Sequence, residues 1–361
     1  MSATADFYLF PTAILKWNKH YNKREMPWKG EKDPYKIWLS EIILQQTRVE
    51  QGLDYYNRFV KKFPTVQKLA KAHETTIFKL WEGLGYYSRC KNLITTAKFI
   101  ATELDGRFPE KYEDIINLKG IGPYTAAAIA SFSFNLPHAV VDGNVYRVLS
   151  RYFGIDTPID SNEGKKYFNQ LAHSLLDKKN PATYNQAMMD FGAVVCKPKL
   201  PNCGDCILKK NCSAFNNNNI GLFPVKSKAI SKKNRWFYFV IIAAGNSFYV
   251  TKRGAGYIWE NLYQIVIIEH HENMALLNIE QHPEMKKLFN KTPFRITNIS
   301  EQYKQQLTHQ TIYGQFIHVS INKQIAVKNH HPVGLTALKK LPFPKFITNY
   351  LKDKNVSLNL I

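Results

Sequence analysis

Four of the five cysteines in this chain are crowded into one short segment, and this crowding constrains the fold more than any other feature. Cys196, Cys203, Cys206 and Cys212 are separated by six, two and five residues. Four thiolates at such short range can ligate one tetrahedral ion or one cubane cluster. Structural zinc usually uses two close pairs from separate loops, whereas one Cys-x-x-Cys with an outlier on each side suits a [4Fe–4S] cube. We therefore expect one [4Fe–4S] cluster, with zinc and unligated cysteines as the alternatives.

The charge balance predicts a polyanionic partner. Lys and Arg outnumber Asp and Glu by 49 to 28, which gives a formal net charge of +21. Such a charge favours phosphates or acidic lipid. No apolar run approaches the roughly 18 residues that cross a bilayer, and Met1–Phe10 lacks a signal-peptide pattern. Because crowded cysteines are typical of a metal site in a reducing compartment, we expect nucleic acid rather than a membrane as the partner. We also expect a monomer in the cytoplasm, of bacterial type and associated with the nucleoid.

The hydrophobic pattern predicts two domains. From about Ala13 to Phe215, apolar residues recur three and four apart, which indicates helices and an all-α domain over residues 1–215. Residues 216–233 contain four consecutive asparagines and a basic run, and are predicted to be a linker. Residues 234–361 contain β-branched and aromatic runs, which indicate an α+β domain. Helices are expected from Asp33-Pro34 to Leu44 and at 49–62, 74–82, 89–104, 123–133, 144–153, 163–177 and 183–194, and strands at Trp236–Ala244, Ser247–Lys252, Leu262–Glu269 and Gln315–Ile321.

A glycine-rich turn at Leu118–Ala126 predicts a hairpin that binds phosphate. Lys119 precedes Gly120 and Gly122, which allow a tight turn and let a DNA strand approach bare amide groups. Pro123 stands where a helix begins, so unpaired N–H groups and the positive end of the helix dipole face outward. Such a site binds the DNA backbone without sequence preference. An ordinary turn between two core helices is the alternative.

Two carboxylates are candidates for acid–base chemistry. Glu41 lies in a helix that is apolar on nearly every side, so burial should raise its pKa and let it protonate a leaving purine base. Asp142 follows a short apolar run, and an ionised carboxylate there could stabilise a positive sugar. Local sequence alone favours plainer roles. Glu41 would pair with Arg48 or face water, and Asp142 would cap the helix that begins near Asn144.

Several segments, taken together, are specific to one known family. They are Pro27-Trp28, Ser40-Glu41, Leu44–Thr47, Trp81–Arg89, Leu118–Tyr124, Val141–Val145 and the spaced cysteines. On these segments the sequence resembles, over residues 7–215, the adenine DNA glycosylases of the MutY type, a branch of the helix-hairpin-helix glycosylase superfamily. The resemblance implies an all-α glycosylase fold of two helical subdomains and a repair enzyme that removes adenine mispaired with 8-oxoguanine or guanine in double-stranded DNA.

The resemblance also implies roles for individual residues. Glu41 would be the general acid at adenine N7, and Asp142 would stabilise the sugar cation. Asn144 and Tyr124 would line the pocket that receives the extruded adenine, since the atoms to be protonated are inaccessible in a stacked pair. The residues implied to bind the DNA or the lesion are Gln46 and Tyr86, which would enter the duplex, with Trp28, Lys29, Lys119, Gly120 and Gly122.

Two positions depart from relatives of this fold. Lyase relatives carry Lys where this chain has Tyr124, and a phenol cannot form their Schiff base with the sugar. We therefore expect a monofunctional enzyme that removes the base without cleaving the strand by β-elimination. Lys29 stands where many relatives have Arg. The lysine keeps the positive charge but cannot form the planar bidentate hydrogen bonds of arginine.

Residues 234–361 resemble the C-terminal domain of the same family, which is similar in fold to the Nudix hydrolases. The Nudix catalytic box is missing, so no nucleotide hydrolysis is expected. The family reads 8-oxoguanine with a Phe-Ser-His loop, and the best match here is Leu307-Thr308-His309. Thr308 and His309 are therefore predicted to contact the lesion. An ordinary strand end is the alternative.

Two other functions stay open from the sequence. A related glycosylase acting on thymine or uracil opposite guanine, or on oxidised pyrimidine, shares most of these motifs, although Tyr124 and the separate reader domain favour the adenine enzyme. A non-catalytic DNA-binding module with a structural metal would explain the charge, the hairpin and the cysteines. It would leave Glu41 and Asp142 without a role.

Overall fold

The computed structural model describes residues 3–227, 232–270, 272–274 and 276–352. The chain divides into two compact units, Met1–Lys71 with Asn92–Lys228 and Ala72–Lys91 with Ala229–Ile361. The division at 215 and 234 stays a prediction, and residues 228–231 of the predicted linker lie outside the described residues. The segment 72–91 groups with the C-terminal residues, which the sequence did not indicate.

Helices form where the hydrophobic period predicted them. The first helix differs, because it begins at Ala3 rather than near Ala13 and contains Pro11. Phe10 and Ile14 on this helix are fully buried, and their packing offsets the cost of a proline inside a helix. No helix in the described ranges is long and apolar enough to cross a bilayer. The helices are α1 (Ala3–His20), α2 (Pro34–Leu44), α3 (Val49–Lys62), α4 (Val66–Ala70), α5 (Glu74–Trp81), α6 (Tyr87–Glu103), α7 (Tyr112–Ile115), α8 (Pro123–Phe134), α9 (Gly143–Phe153), α10 (Asn162–Ser174), α11 (Pro181–Val194) and α12 (Ser213–Asn216).

Local capping and core packing fix the helices of the first unit. Asp33 caps α2 by accepting the backbone N–H of Tyr35, as predicted. α9 ends at Gly154 in the left-handed conformation. α1, α9, α10 and α11 bury one apolar cluster that includes Trp17, Phe168 and Phe191. α2 packs against α3 and α8, which brings residues of α2 and α8 into contact.

The second unit contains a mixed sheet of seven strands. The strands are β1 (Lys233–Ala244), β2 (Ser247–Lys252), β3 (Tyr263–His270), β4 (Arg295–Ile299), β5 (Tyr303–Gln306), β6 (Gln310–Ile321) and β7 (His331–Gly334). The strand order is β4-β6-β1-β3-β2-β7, β5 pairs with β6, and β1 and β6 run parallel. β1 and β6 begin three and five residues before their predicted starts. One apolar cluster covers each face. The helix α13 (Pro283–Phe289) lies between β3 and β4 in the chain, and α14 (Leu335–Lys340) and α15 (Lys345–Lys352) follow β7.

Candidate active site

Glu41 and Tyr124 form a hydrogen-bonded pair where α2 packs against α8. The Tyr124 hydroxyl donates to Oε2 of Glu41 at 2.6 Å, so the partner of this carboxyl is Tyr124 rather than Arg48. Glu41 is only 6% exposed. Burial, assisted by the nearby Asp142, raises the pKa of Glu41 to about 7, while the Tyr124 hydrogen bond opposes the shift. Glu41 is therefore poised to carry a proton near neutral pH.

Asp142 is the N-cap of α9. Its Oδ1 accepts the backbone N–H of Val145 at 2.7 Å, which confirms the capping role. Its Oδ2 accepts the side-chain amide of Asn144 at 2.6 Å. Burial raises the pKa of Asp142, although these hydrogen bonds and the charge of Arg147 oppose the shift. The carboxylate is held in one orientation by two donors.

Arg147 extends this network, and sequence reasoning missed it. The Nη2 of Arg147 donates to Oδ1 of Asn144 and to the carbonyl oxygen of Gly192, both at 2.8 Å. The Nε of Arg147 donates to the carbonyl oxygen of Cys196 at 2.7 Å. Arg147 therefore fixes the Asn144 amide that holds Asp142. The available sequence signal was an arginine five residues after Asp142, on a helix that buries an apolar face.

One cleft of about 650 Å³ brings many of the predicted residues together. Trp28 lines it as a buried side chain that packs edge-on against Tyr56. Gln46 also lines it and is exposed, with a backbone φ of 54°. The sequence-predicted residues in this lining are Trp28, Lys29, Glu41, Gln46, Tyr124, Asp142 and Asn144.

A third acid, Asp190, binds side chains in another part of the cleft lining. Asp190 on α11 is fully buried and accepts hydrogen bonds from Arg24 at 2.9 Å and Gln186 at 3.0 Å. Lys29 lies 3.2 Å from the same carboxylate and also donates to the carbonyl of Arg24. The role of Lys29 in DNA binding stays a prediction. The sequence signal for Asp190 was a single acid between Met189 and Phe191.

The glycine-rich turn has the geometry of a tight hairpin. Gly120 has a φ of 77°, and an added Cβ would lie 2.6 Å from the Cβ of Asn92, so a side chain does not fit. Gly122 is the N-cap of α8 and Pro123 follows it, with no side-chain acceptor at the helix start. Lys119 next to them is exposed. These features favour an anion at this helix terminus.

Tyr86 and Thr308 meet in the second unit. Their hydroxyl groups lie 3.0 Å apart, and either can donate. Tyr86 is 44% exposed, and the Arg89 guanidinium lies 5.3 Å from its ring centroid. Thr308 belongs to the turn between β5 and β6, which Leu307 closes by donating its N–H to the carbonyl of Gln310. His309 is exposed beside it.

The cysteine segment has the donor chemistry of a multi-iron site. The pKa of Cys206 is raised to about 11, mainly by burial and with smaller contributions from the thiols Cys196, Cys212 and Cys203, while a backbone hydrogen bond from Leu208 opposes the shift. Arg151 donates to the Cys196 sulfur at 3.5 Å. In the described ranges, no group of three or more His, Cys, Asp or Glu side chains is arranged to hold a metal ion. The four thiols of one short segment nevertheless have the donor chemistry that a cubane cluster requires.

Comparison with known proteins agrees with this geometry. Residues 39–174 match the HhH-GPD superfamily of base excision DNA repair proteins. An adenine DNA glycosylase of Buchnera aphidicola subsp. Baizongia pistaciae is 36% identical over 90% of this chain and 89% of its own length. Its counterpart from subsp. Acyrthosiphon pisum is 31% identical over 96% and 99%. A thermostable thymine-DNA glycosylase structure aligns with a TM-score of 0.56 at 29% identity, covering 60% of this chain and all of the other. The chain therefore belongs to the adenine DNA glycosylase family, within the HhH-GPD superfamily.

Proposed function

We propose that this protein is a monofunctional adenine DNA glycosylase of base excision repair, which hydrolyses the N-glycosidic bond of adenine opposite 8-oxoguanine or guanine in double-stranded DNA. One observation carries the proposal. A buried carboxyl group, Glu41, has a pKa near neutrality and shares a cleft with Asp142, which two donors hold in place. A protonated acid beside a fixed carboxylate suits the departure of a purine from a sugar. The net charge of +21 suits a DNA substrate.

The reaction begins with proton transfer from Glu41 to N7 of the extruded adenine. Oε2 of Glu41 accepts from Tyr124, which leaves Oε1 to carry the transferred proton. As the bond from N9 to C1′ breaks, its electron pair stays with the protonated base and positive charge develops on the sugar. Ionised Asp142, oriented by Asn144 and the α9 backbone, stabilises that charge. Water then adds to C1′, and its proton restores the acid form of Glu41.

Lesion recognition is assigned to the C-terminal unit. We propose that residues 234–361 form a Nudix-like domain and that Thr308 and His309 contact the base opposite adenine. The contact between the hydroxyls of Thr308 and Tyr86 supports this, because it joins the hairpin turn to the residue implied to enter the duplex. Gln46, Lys119 and the Gly120–Gly122 turn would bind the strands as exposed groups without reading sequence.

One [4Fe–4S] cluster is assigned to the four cysteines of residues 196–212. When bound, it would organise the loop that Arg147 and Arg151 contact through Cys196. The four cysteines would supply its sulfur ligands. Stoichiometric iron in purified protein would support this assignment, and stoichiometric zinc would contradict it.

Base release from a panel of duplexes tests the proposed function. Under single-turnover conditions we expect rapid adenine release opposite 8-oxoguanine and guanine, and little thymine or uracil release opposite guanine. Because Tyr124 cannot form an imine, borohydride should trap no efficient covalent complex through this position. The second candidate, a thymine glycosylase, has the 29% identity to a thymine-DNA glycosylase in its favour. Thymine release faster than adenine release would favour it and contradict the first proposal.

A further inference from the structure

The segment that carries Tyr86 is a turn in a costly conformation. Gly83, Gly85 and Tyr86 all have positive φ angles, of 91°, 81° and 48°. Glycine adopts this region freely, but a tyrosine does so only where its surroundings hold it. The indole N–H of Trp81 donates to the carbonyl of Gly85 at 3.0 Å, and the N–H of Gly83 donates to the hydroxyl of Tyr87 at 3.1 Å. These bonds fix the shape of the turn, but they do not fix where it lies.

The residue before the turn is attached to the C-terminal part of the same unit. Glu82 follows α5 directly, and its side chain is only 9% exposed. Its Oε1 accepts the backbone N–H of Phe343 at 2.9 Å. Lys79 lies 3.0 Å from the same carboxylate and donates to the carbonyl of Leu341 at 2.9 Å. We call these two side chains and two backbone groups the Glu82 latch.

The latch ends on a well-anchored segment. Phe343 is 3% exposed and belongs to the apolar cluster on one face of the sheet. The carbonyl of Pro342, between the two latched residues, accepts the N–H of Tyr263 at the start of β3. A shielded, charge-assisted hydrogen bond to such a backbone holds position better than an exposed ion pair does. Glu82 therefore connects the turn rigidly to the sheet that also carries the β5–β6 hairpin.

We propose that Glu82 is a positioning residue for recognition of the opposite base. It holds the turn 83–86 against the sheet, so that Tyr86 keeps its contact with Thr308 and enters the duplex in register with the lesion reader. This inference rests on the proposed function, since it assigns Tyr86 and Thr308 to the base opposite adenine. It adds the Glu82 latch as a feature on which lesion preference depends.

Binding by the full chain tests the latch without adenine release. The probe is a duplex with a tetrahydrofuran abasic analogue opposite 8-oxoguanine or guanine, and fluorescence anisotropy gives the ratio of the two affinities. Glu82→Ala should lower this preference about tenfold, and Glu82→Gln, which keeps an acceptor for the Phe343 N–H, should lower it less. Glu260→Gln removes an exposed ion pair with Lys91 in the same unit and should leave the ratio unchanged.

A double-mutant cycle separates positioning from general destabilisation. In a Tyr86→Ala background, Glu82→Ala should change the ratio less than about twofold, because its effect passes through Tyr86. An equal loss in both backgrounds, or an unchanged ratio in folded Glu82→Ala protein, would overturn the proposal. Thermal melting of each variant establishes folding. Adenine release by the wild type is measured separately from the ratio of affinities. Its failure would refute the proposed function.

Discussion

Replacing Glu41 by Gln is expected to slow single-turnover adenine release by about 10²- to 10⁴-fold, the usual contribution of a positioned general acid. Gln has nearly the same shape, and its side-chain oxygen can still accept the Tyr124 hydroxyl that now donates to Glu41 at 2.6 Å. It carries no proton that can be transferred to adenine. The loss should therefore fall on the chemical step, as measured by rapid quench with enzyme in excess over duplex.

The controls for this variant address folding and charge. Glu50→Gln makes the same chemical change at an exposed position of α3, and its release rate should equal that of the wild type. Affinity of Glu41→Gln for the mispaired duplex should change little, because the acid acts in the transition state. Unchanged adenine release by folded Glu41→Gln protein would remove Glu41 from the mechanism.

Replacing Asp142 by Asn should lower the same rate by about 10²- to 10³-fold. Asn is as good an N-cap as Asp, so the bond from the Val145 N–H can persist while the negative charge beside the developing sugar cation is lost. Asp142 also raises the pKa of Glu41, so its neutralisation should move the loss of activity at alkaline pH to lower pH.

Asp142→Ala is the matched comparison, because it removes both the charge and the cap. It should melt below Asp142→Asn, by an amount that reflects about 0.5–2 kcal/mol of lost capping, while the two release rates stay similar. If Asp142→Asn keeps the wild-type rate and only Asp142→Ala is impaired, then Asp142 acts as a helix cap alone.

Sequence pattern predicted the elements that have strong local signals. α2, α8 and α9 have an apolar period together with a cap or a proline at the first turn, and each lies within a residue or so of its predicted bounds. β4, β5 and β7 were not predicted. They are four or five residues long, and every residue in them is at least partly exposed, so no apolar alternation marks them. Their pairing with longer neighbours stabilises them.

Candidate site residues could be predicted where the local sequence around a single residue is unusual. The apolar neighbours of Glu41 in its helix suggested burial and a raised pKa, although local sequence alone favoured pairing with Arg48 or exposure to water. Its partner Tyr124 lies 83 residues away, so only the packing of α2 on α8 reveals the hydrogen bond. The same applies to the hydrogen bond from Arg24 to the Asp190 carboxylate, which joins residues 166 positions apart. No local pattern encodes such contacts.

The most direct measurement is the pH dependence of single-turnover adenine release by the wild-type protein and Glu41→Gln. The pKa of Glu41 is raised to about 7, so the wild-type rate should fall as pH rises through that value and the acid loses its proton. At acid pH the wild-type rate should also fall, because Asp142, whose pKa is raised as well, gains a proton and loses its negative charge. The residual rate of Glu41→Gln should lack the alkaline fall. A wild-type rate that stays constant from about pH 6 to about pH 9 would contradict proton donation by Glu41.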